Sequence, residues 1–189
     1  MRTRACCLGL LGTLLTLVGL AGCGGSGSDS AGPTEPTSTA PESMTVTSSA
    51  IQAGQPIPTR FTCDGAGVSP PLSWSGTPND ARAVALVVDD PDAPDQTFVH
   101  WVLLDIPPAT HTIAAGKVPH GASQATGSSG KASYFAPCPP SGTHHYRFTV
   151  YALSAKTGLG AGTGMDKALH AITSAASARG RLVATYQSS

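Results

Sequence analysis

A chain of 189 residues with 11 basic and 11 acidic side chains, formally neutral at pH 7, has no basic field to hold a nucleic acid and no acidic field to steer a cationic partner. Only 12% of its residues are charged and 40% are hydrophobic, and once the terminal segments described next are set aside the remainder suffices for one packed core but not two.

The N-terminus carries an address. Arg2 and Arg4 precede an apolar run from Leu8 to Leu20, too short and too abruptly ended to span a bilayer, which reads as a signal peptide over residues 1–22. The run closes on Leu20-Ala21-Gly22-Cys23, which resembles a lipobox, so Cys23 is the expected acylated first residue of the mature chain. Each buried methylene adds about 0.8 kcal/mol of membrane affinity, so two or three acyl chains anchor the protein without any spanning helix. Residues 23–43 are mostly Gly, Ser, Thr, Pro and Ala, which offer nothing to pack a core and read as a tether, extended in its second half by Pro33, Pro36 and Pro41. The expected location is the outer face of the cytoplasmic membrane.

Residues 44–189 form the expected domain, with nine Lys or Arg against eight Asp and no Glu, so acid or base chemistry there has to use Asp, His, Tyr, Lys or Cys. Short runs rich in β-branched and aromatic residues, punctuated by Pro, Gly, Asn and Asp, predict strands at 44–47, 72–74, 82–88, 99–106, 146–153 and 181–186. The nearly continuous apolar runs 83–88 and 99–104 suit central strands covered on both faces. Residues 165–178 read as one or two short helices, with Gly180 as the stop before a final strand. The fold class is therefore mostly β with a packed centre and a short helical segment near the C-terminus.

Two segments carry chemistry. Asp89-Asp90-Pro91-Asp92-Ala93-Pro94 closes one predicted strand and His100-Trp101 opens the next. Three carboxylates in four positions repel one another unless hydrogen bonds, a cation or an imidazole offset the repulsion, and the prolines fix the loop that carries them. Downstream, a Pro-rich loop from Tyr134 to Thr143 runs into His144-His145-Tyr146-Arg147-Phe148. Alternation along a strand puts His144, Tyr146 and Phe148 on one face and His145 and Arg147 on the other.

Taken in order, Asp90-Pro91-Asp92-Ala93-Pro94, His100, then Pro139-Pro140 through Gly142 to His144 and Tyr146 resemble the paired motifs of the phosphatidylethanolamine-binding protein family, also called Raf kinase inhibitor proteins. Phe61-Thr62-Cys63-Asp64-Gly65 and Ser69-Pro70-Pro71-Leu72-Ser73-Trp74 are similar to its bacterial and archaeal branch. The resemblance implies a β-sandwich-like fold on a large central antiparallel sheet, with a small pocket for phosphate-like anions or phospholipid head groups. Carried over residue by residue, that pocket would be lined by Asp90, Asp92, His100, Cys138, Pro140, His144 and Tyr146, with Phe98 and Trp101 as an apolar wall. Imidazoles and a phenol would donate to the anion, while Asp90 accepts from the second nitrogen of a His and fixes its tautomer. The family also implies inhibition of a protein partner such as a kinase or a protease, without catalysis and without a cofactor.

Alternatives stay open. With Cys6 and Cys7 in the signal peptide and Cys23 acylated, Cys63 and Cys138 either pair as a disulfide in an oxidising compartment or stay as separate thiols. A hydrolase would use Asp90, His100 and His144 as acid and base, but no Gly-x-Ser-x-Gly supplies a nucleophile. Asp92, His100 and His144 would make a two-His, one-carboxylate metal set.

Overall fold

The computed structural model describes residues 38–188; the signal-peptide, Cys23 and early tether assignments lie outside them. Two antiparallel sheets and one helix make up the fold. The larger sheet has five strands in the order β6 (Ser123–Ala125), β4 (Phe98–Ile106), β3 (Ala83–Asp90), β7 (His144–Leu153) and β8 (Ala176–Tyr186). The smaller has β1 (Thr45–Thr47), β2 (Leu72–Ser75) and β5 (Thr112–Ile113), with β2 in the middle.

Every residue of β3 is buried, because the five-stranded sheet is covered on both faces. Val84, Leu86 and Val88 pack with Trp74, Phe61 and Phe148 in the core between the sheets. Ala83, Ala85 and Val87 face the other way, with Leu169 and Ile172 of α1 (Met165–Ala175). The mostly β, sandwich-like architecture with a large central antiparallel sheet is thus what the chain adopts, with a single helix.

Boundaries differ from the sequence reading in two instructive places. Ser38 and Ala40, read as tether, are buried, and this stretch docks on the free edge of β8: Arg179 N–H donates to the Pro41 carbonyl and Met44 N–H to the Arg179 carbonyl. Gly180 is no stop, because α1 ends at Ala175 and the chain passes straight into β8. Gly180 is there because the Met44 carbonyl crosses so close that a Cβ would sit 2.3 Å from its oxygen.

One irregularity positions the site. Across β3 and β4, Val88 faces Trp101 but Asp89 faces Val99, so His100 is an extra residue in a β-bulge. Bulges of this kind re-aim a side chain next to functional sites. Among the described residues no helix is long and apolar enough to cross a membrane.

Candidate functional site

The three crowded carboxylates each find a partner on β7. Asp89 takes two hydrogen bonds from Arg147, at 2.9 Å from Nε and 2.6 Å from Nη2, on the opposite face from the core between the sheets. Asp90 accepts from His144 Nδ1 at 2.7 Å, and its other oxygen accepts the Asp92 N–H at 2.9 Å. Asp92 accepts from both the backbone N–H and the Nδ1 of His145, at 2.8 and 2.7 Å. Strand alternation sorts these partners: His144 is buried and His145 is exposed.

A cavity of about 200 Å³ opens where β3, β4 and β7 end, and Asp90, His100, Cys138, Pro140, His144 and Tyr146 all line it. Two loops some forty residues apart in the chain thereby meet, as the sequence reading expected. Asp92 does not line it, because its carboxylate turns out to His145 at the surface, with its side chain 41% exposed. The proposed metal trio of Asp92, His100 and His144 is therefore not assembled, and among the described residues no group of three metal-ligating side chains clusters elsewhere. Of the expected apolar wall, Phe98 is present, while Trp101 lies beyond the bulge, edge-on to Tyr134 and donating its indole N–H to Gln124.

His100 is held by reciprocal bonds with the Pro-rich loop. Its Nδ1 lies 2.7 Å from the Phe135 carbonyl, and its own carbonyl accepts the Phe135 N–H at 3.0 Å. Burial pushes the His100 ring below the usual imidazole range, against the smaller opposing pulls of the Phe135 carbonyl and Asp90. Tyr146 is fully buried, and its hydroxyl has no hydrogen bond of good geometry among the described residues. Burial first, and then the negative charge of Asp90, hold it protonated far above the usual tyrosine range. It is a permanent donor in the cavity wall, beside the Asp90 carboxylate.

Cys138 is bonded to Cys63, with the two Cα atoms 5.4 Å apart, which joins the Pro-rich loop to the turn after Thr59–Phe61. The same junction is reinforced by the Cys63 N–H on the Pro137 carbonyl and by the Tyr134 hydroxyl on the Phe61 carbonyl. Residues that the sequence reading left out of the lining are Ala93, Pro94, Pro139 and Phe135, the last 41% exposed at the rim. The signal for Phe135 was a large apolar side chain, next to Tyr134, in a loop otherwise built of small residues and proline.

The chain is 45% identical over 150 residues to the protein named "Putative lipoprotein LppC" of Mycobacterium tuberculosis, spanning 78% of this chain and 74% of that one. It is 41% identical over 136 residues to a UPF0098 protein of Methanothermobacter thermautotrophicus, covering 69% of this chain and 90% of that one. Among solved structures, the phosphatidylethanolamine-binding protein homologue CT736 of Chlamydia trachomatis superposes with a TM-score of 0.74 at 34% identity, over 78% of this chain and 99% of CT736. Escherichia coli YbcL, described as a member of the mammalian family, gives a TM-score of 0.74 at 29% identity, over 78% of this chain and 99% of YbcL. The sequence profile described as "Phosphatidylethanolamine-binding protein" matches residues 47–187, the span that holds both the bulged His100 and the Asp90–His144 pair, and the chain belongs to that family of ligand-binding domains.

Proposed function

We propose that the domain binds a small phosphate-type oxyanion, free or as a lipid head group, that it does so without turning it over, and that an acylated Cys23 holds it at the outer face of the cytoplasmic membrane. The single observation that carries the reading is the Tyr146 hydroxyl. A buried donor left unpaired costs about 1–3 kcal/mol, and an oxygen of a guest in the cavity removes that cost. His100 and His144 each have Nδ1 committed to a protein acceptor, which leaves Nε2 of both rings for the same guest.

Size supports a head group and not a lipid tail. About 200 Å³ is below the roughly 300–1,000 Å³ of pockets that enclose drug-sized ligands. Binding without turnover is favoured because Cys138, the one thiol near the cavity, is bonded to Cys63, and no Ser, Thr or Lys lines the cavity among the described residues. The anchor is supported by the Leu20-Ala21-Gly22-Cys23 motif and by the name of the mycobacterial relative.

The test is mass spectrometry of the full chain extracted from membranes, followed by calorimetric titration with inorganic phosphate of the wild type and of Tyr146→Phe. Acyl mass on Cys23, and binding that Tyr146→Phe weakens about tenfold, are the expected results. A free Cys23 thiol would overturn the anchor. Failure of the wild type to bind phosphate would overturn the oxyanion reading.

A further inference from the structure

We infer that the domain carries a second binding site, apart from the cavity described above, that takes a small monocarboxylate. It is a cavity of about 240 Å³ lined by Ser69, Trp101, Lys117, Gln124, Ser133 and Tyr134, with hydrogen-bond donors and one ammonium but no Asp or Glu among the described residues. The two cavities share no lining residue.

Two dipeptides form the partition between them. In His100-Trp101 the first side chain lines the oxyanion cavity and the second lines this one; in Tyr134-Phe135 the order is reversed. The partition is held on one side by the paired His100–Phe135 hydrogen bonds and on the other by the edge contact of Trp101 with Tyr134. At about 240 Å³ the second cavity is also below the roughly 300–1,000 Å³ of pockets for drug-sized ligands, so its guest is small.

The lining has donors left over. Ser69 is 3% exposed and its Oγ accepts the Gly116 N–H at 3.2 Å, while its own hydroxyl proton has no acceptor among the described residues. An indole N–H only donates, so the 2.7 Å contact from Trp101 fixes Oε1 of Gln124 as the acceptor and leaves Nε2 to donate to a guest. Lys117 adds an ammonium that no carboxylate pairs among the described residues. The Tyr134 hydroxyl is engaged by the Phe61 carbonyl, so this residue contributes its ring, beside Trp101 and the 41% exposed Val118. A cationic guest would meet Lys117 with no acid to offset it, and a dianion would exceed its single charge. A carboxylate brings one negative charge and two accepting oxygens with about four lone-pair sites for these donors, and its carbon skeleton suits the aromatic and valine surface.

The experiment is calorimetric titration of the full chain with benzoate and its neutral analogue benzamide, in the wild type, Ser69→Ala and Lys117→Met. Benzoate should bind at least about tenfold tighter than benzamide, because hydrogen bonds to a charged acceptor are the stronger ones. Ser69→Ala should weaken benzoate about tenfold; the Gly116 N–H keeps the Ser69 carbonyl at 2.9 Å, so the local fold survives the change. Lys117→Met, at an exposed position, should weaken it about threefold and remove the salt dependence of the wild type. Both variants should bind inorganic phosphate within about twofold of the wild type, since they lie outside the oxyanion cavity. N-Acetylphenylalanine, titrated alongside, separates the two sources of a carboxylate: tighter binding of benzoate assigns a free acid, tighter binding of the acetyl amino acid a peptide C-terminus, and either supports the site. Equal affinities for benzoate and benzamide, no binding of either acid, or benzoate affinity unchanged in either variant would overturn it. A wild type that takes benzoate but not phosphate would overturn the oxyanion reading and leave this site standing.

Discussion

Two histidine–aspartate pairs lie next to each other, between the start of β7 and the end of β3 with the loop that follows it. Asp90–His144 and Asp92–His145 are each closed by an Nδ1–Oδ2 contact of 2.7 Å. The first has side chains 9% and 5% exposed and forms the floor of the cavity; the second has 56% and 41% exposed and lies outside it. Chemistry and distance are the same, so what separates the pairs is the surrounding medium. Removing one partner from a largely buried pair strands a polar group with little access to water, whereas a solvated pair is replaced by water at almost no cost.

The sharpest break of that comparison is Asp90→Ala. It leaves His144 Nδ1 and the Asp92 N–H without their acceptor, the first of them in a largely buried side chain. Loss of one member of a buried pair costs about 3–5 kcal/mol, and a chemical denaturation curve should show a loss of about 3 kcal/mol together with loss of oxyanion binding. His144→Ala should be nearly as damaging, since it strips a buried carboxylate of its donor. If Asp90→Ala proved no more costly than Asp92→Ala, burial would not be what distinguishes the pairs.

How far the sequence reveals this arrangement depends on the residue. The apolar run of β3 announces a strand covered on both faces, and alternation along β7 separates His144 from His145 correctly. Asp90 and Asp92, by contrast, look equivalent in Asp-Pro-Asp-Ala-Pro, and nothing local says that one faces a cavity and the other water. The bulge at His100 is equally silent, because an extra residue in a ladder is a property of the register with β3 and not of the run Phe98–Ile106 itself. Trp101, expected in the cavity wall, is against Tyr134 instead. Gly180 read as a helix stop for a related reason: the backbone that requires it belongs to Met44, far away in the chain.

A middle-sized effect separates His100 from both pairs, since it is buried against a carbonyl and not a carboxylate. Its folded-state pKa is depressed by burial, so between that value and the ordinary imidazole value near 6.5 the unfolded chain binds more protons than the folded one. Folding stability should therefore fall as the pH drops below about 6.5 and level off once the folded-state ring is also protonated. In urea titrations between pH 7.5 and 5, His100→Phe should flatten that slope. A slope identical in the variant would assign the proton uptake to another group.

The smallest effect belongs to the exposed pair, and it completes the contrast. For Asp92, slight burial raises the carboxyl pKa, but the hydrogen bonds from the His145 ring and backbone, with the charges of His145 and His144, outweigh it and hold the pKa below the usual Asp range. A depressed carboxyl contributes stability that is present above its unfolded value near 3.9 and is lost as the pH falls through the lower folded value. Asp92→Ala should thus cost less than about 1 kcal/mol at pH 7 and almost nothing in strong acid. Its oxyanion affinity should stay within about twofold of the wild type, because Ala93 and Pro94 are held by a proline-fixed loop and the Asp92 N–H still reaches Asp90. A large loss of affinity in this variant would mean that the outer pair holds the loop against the cavity, and that solvent exposure at Asp92 does not make it dispensable.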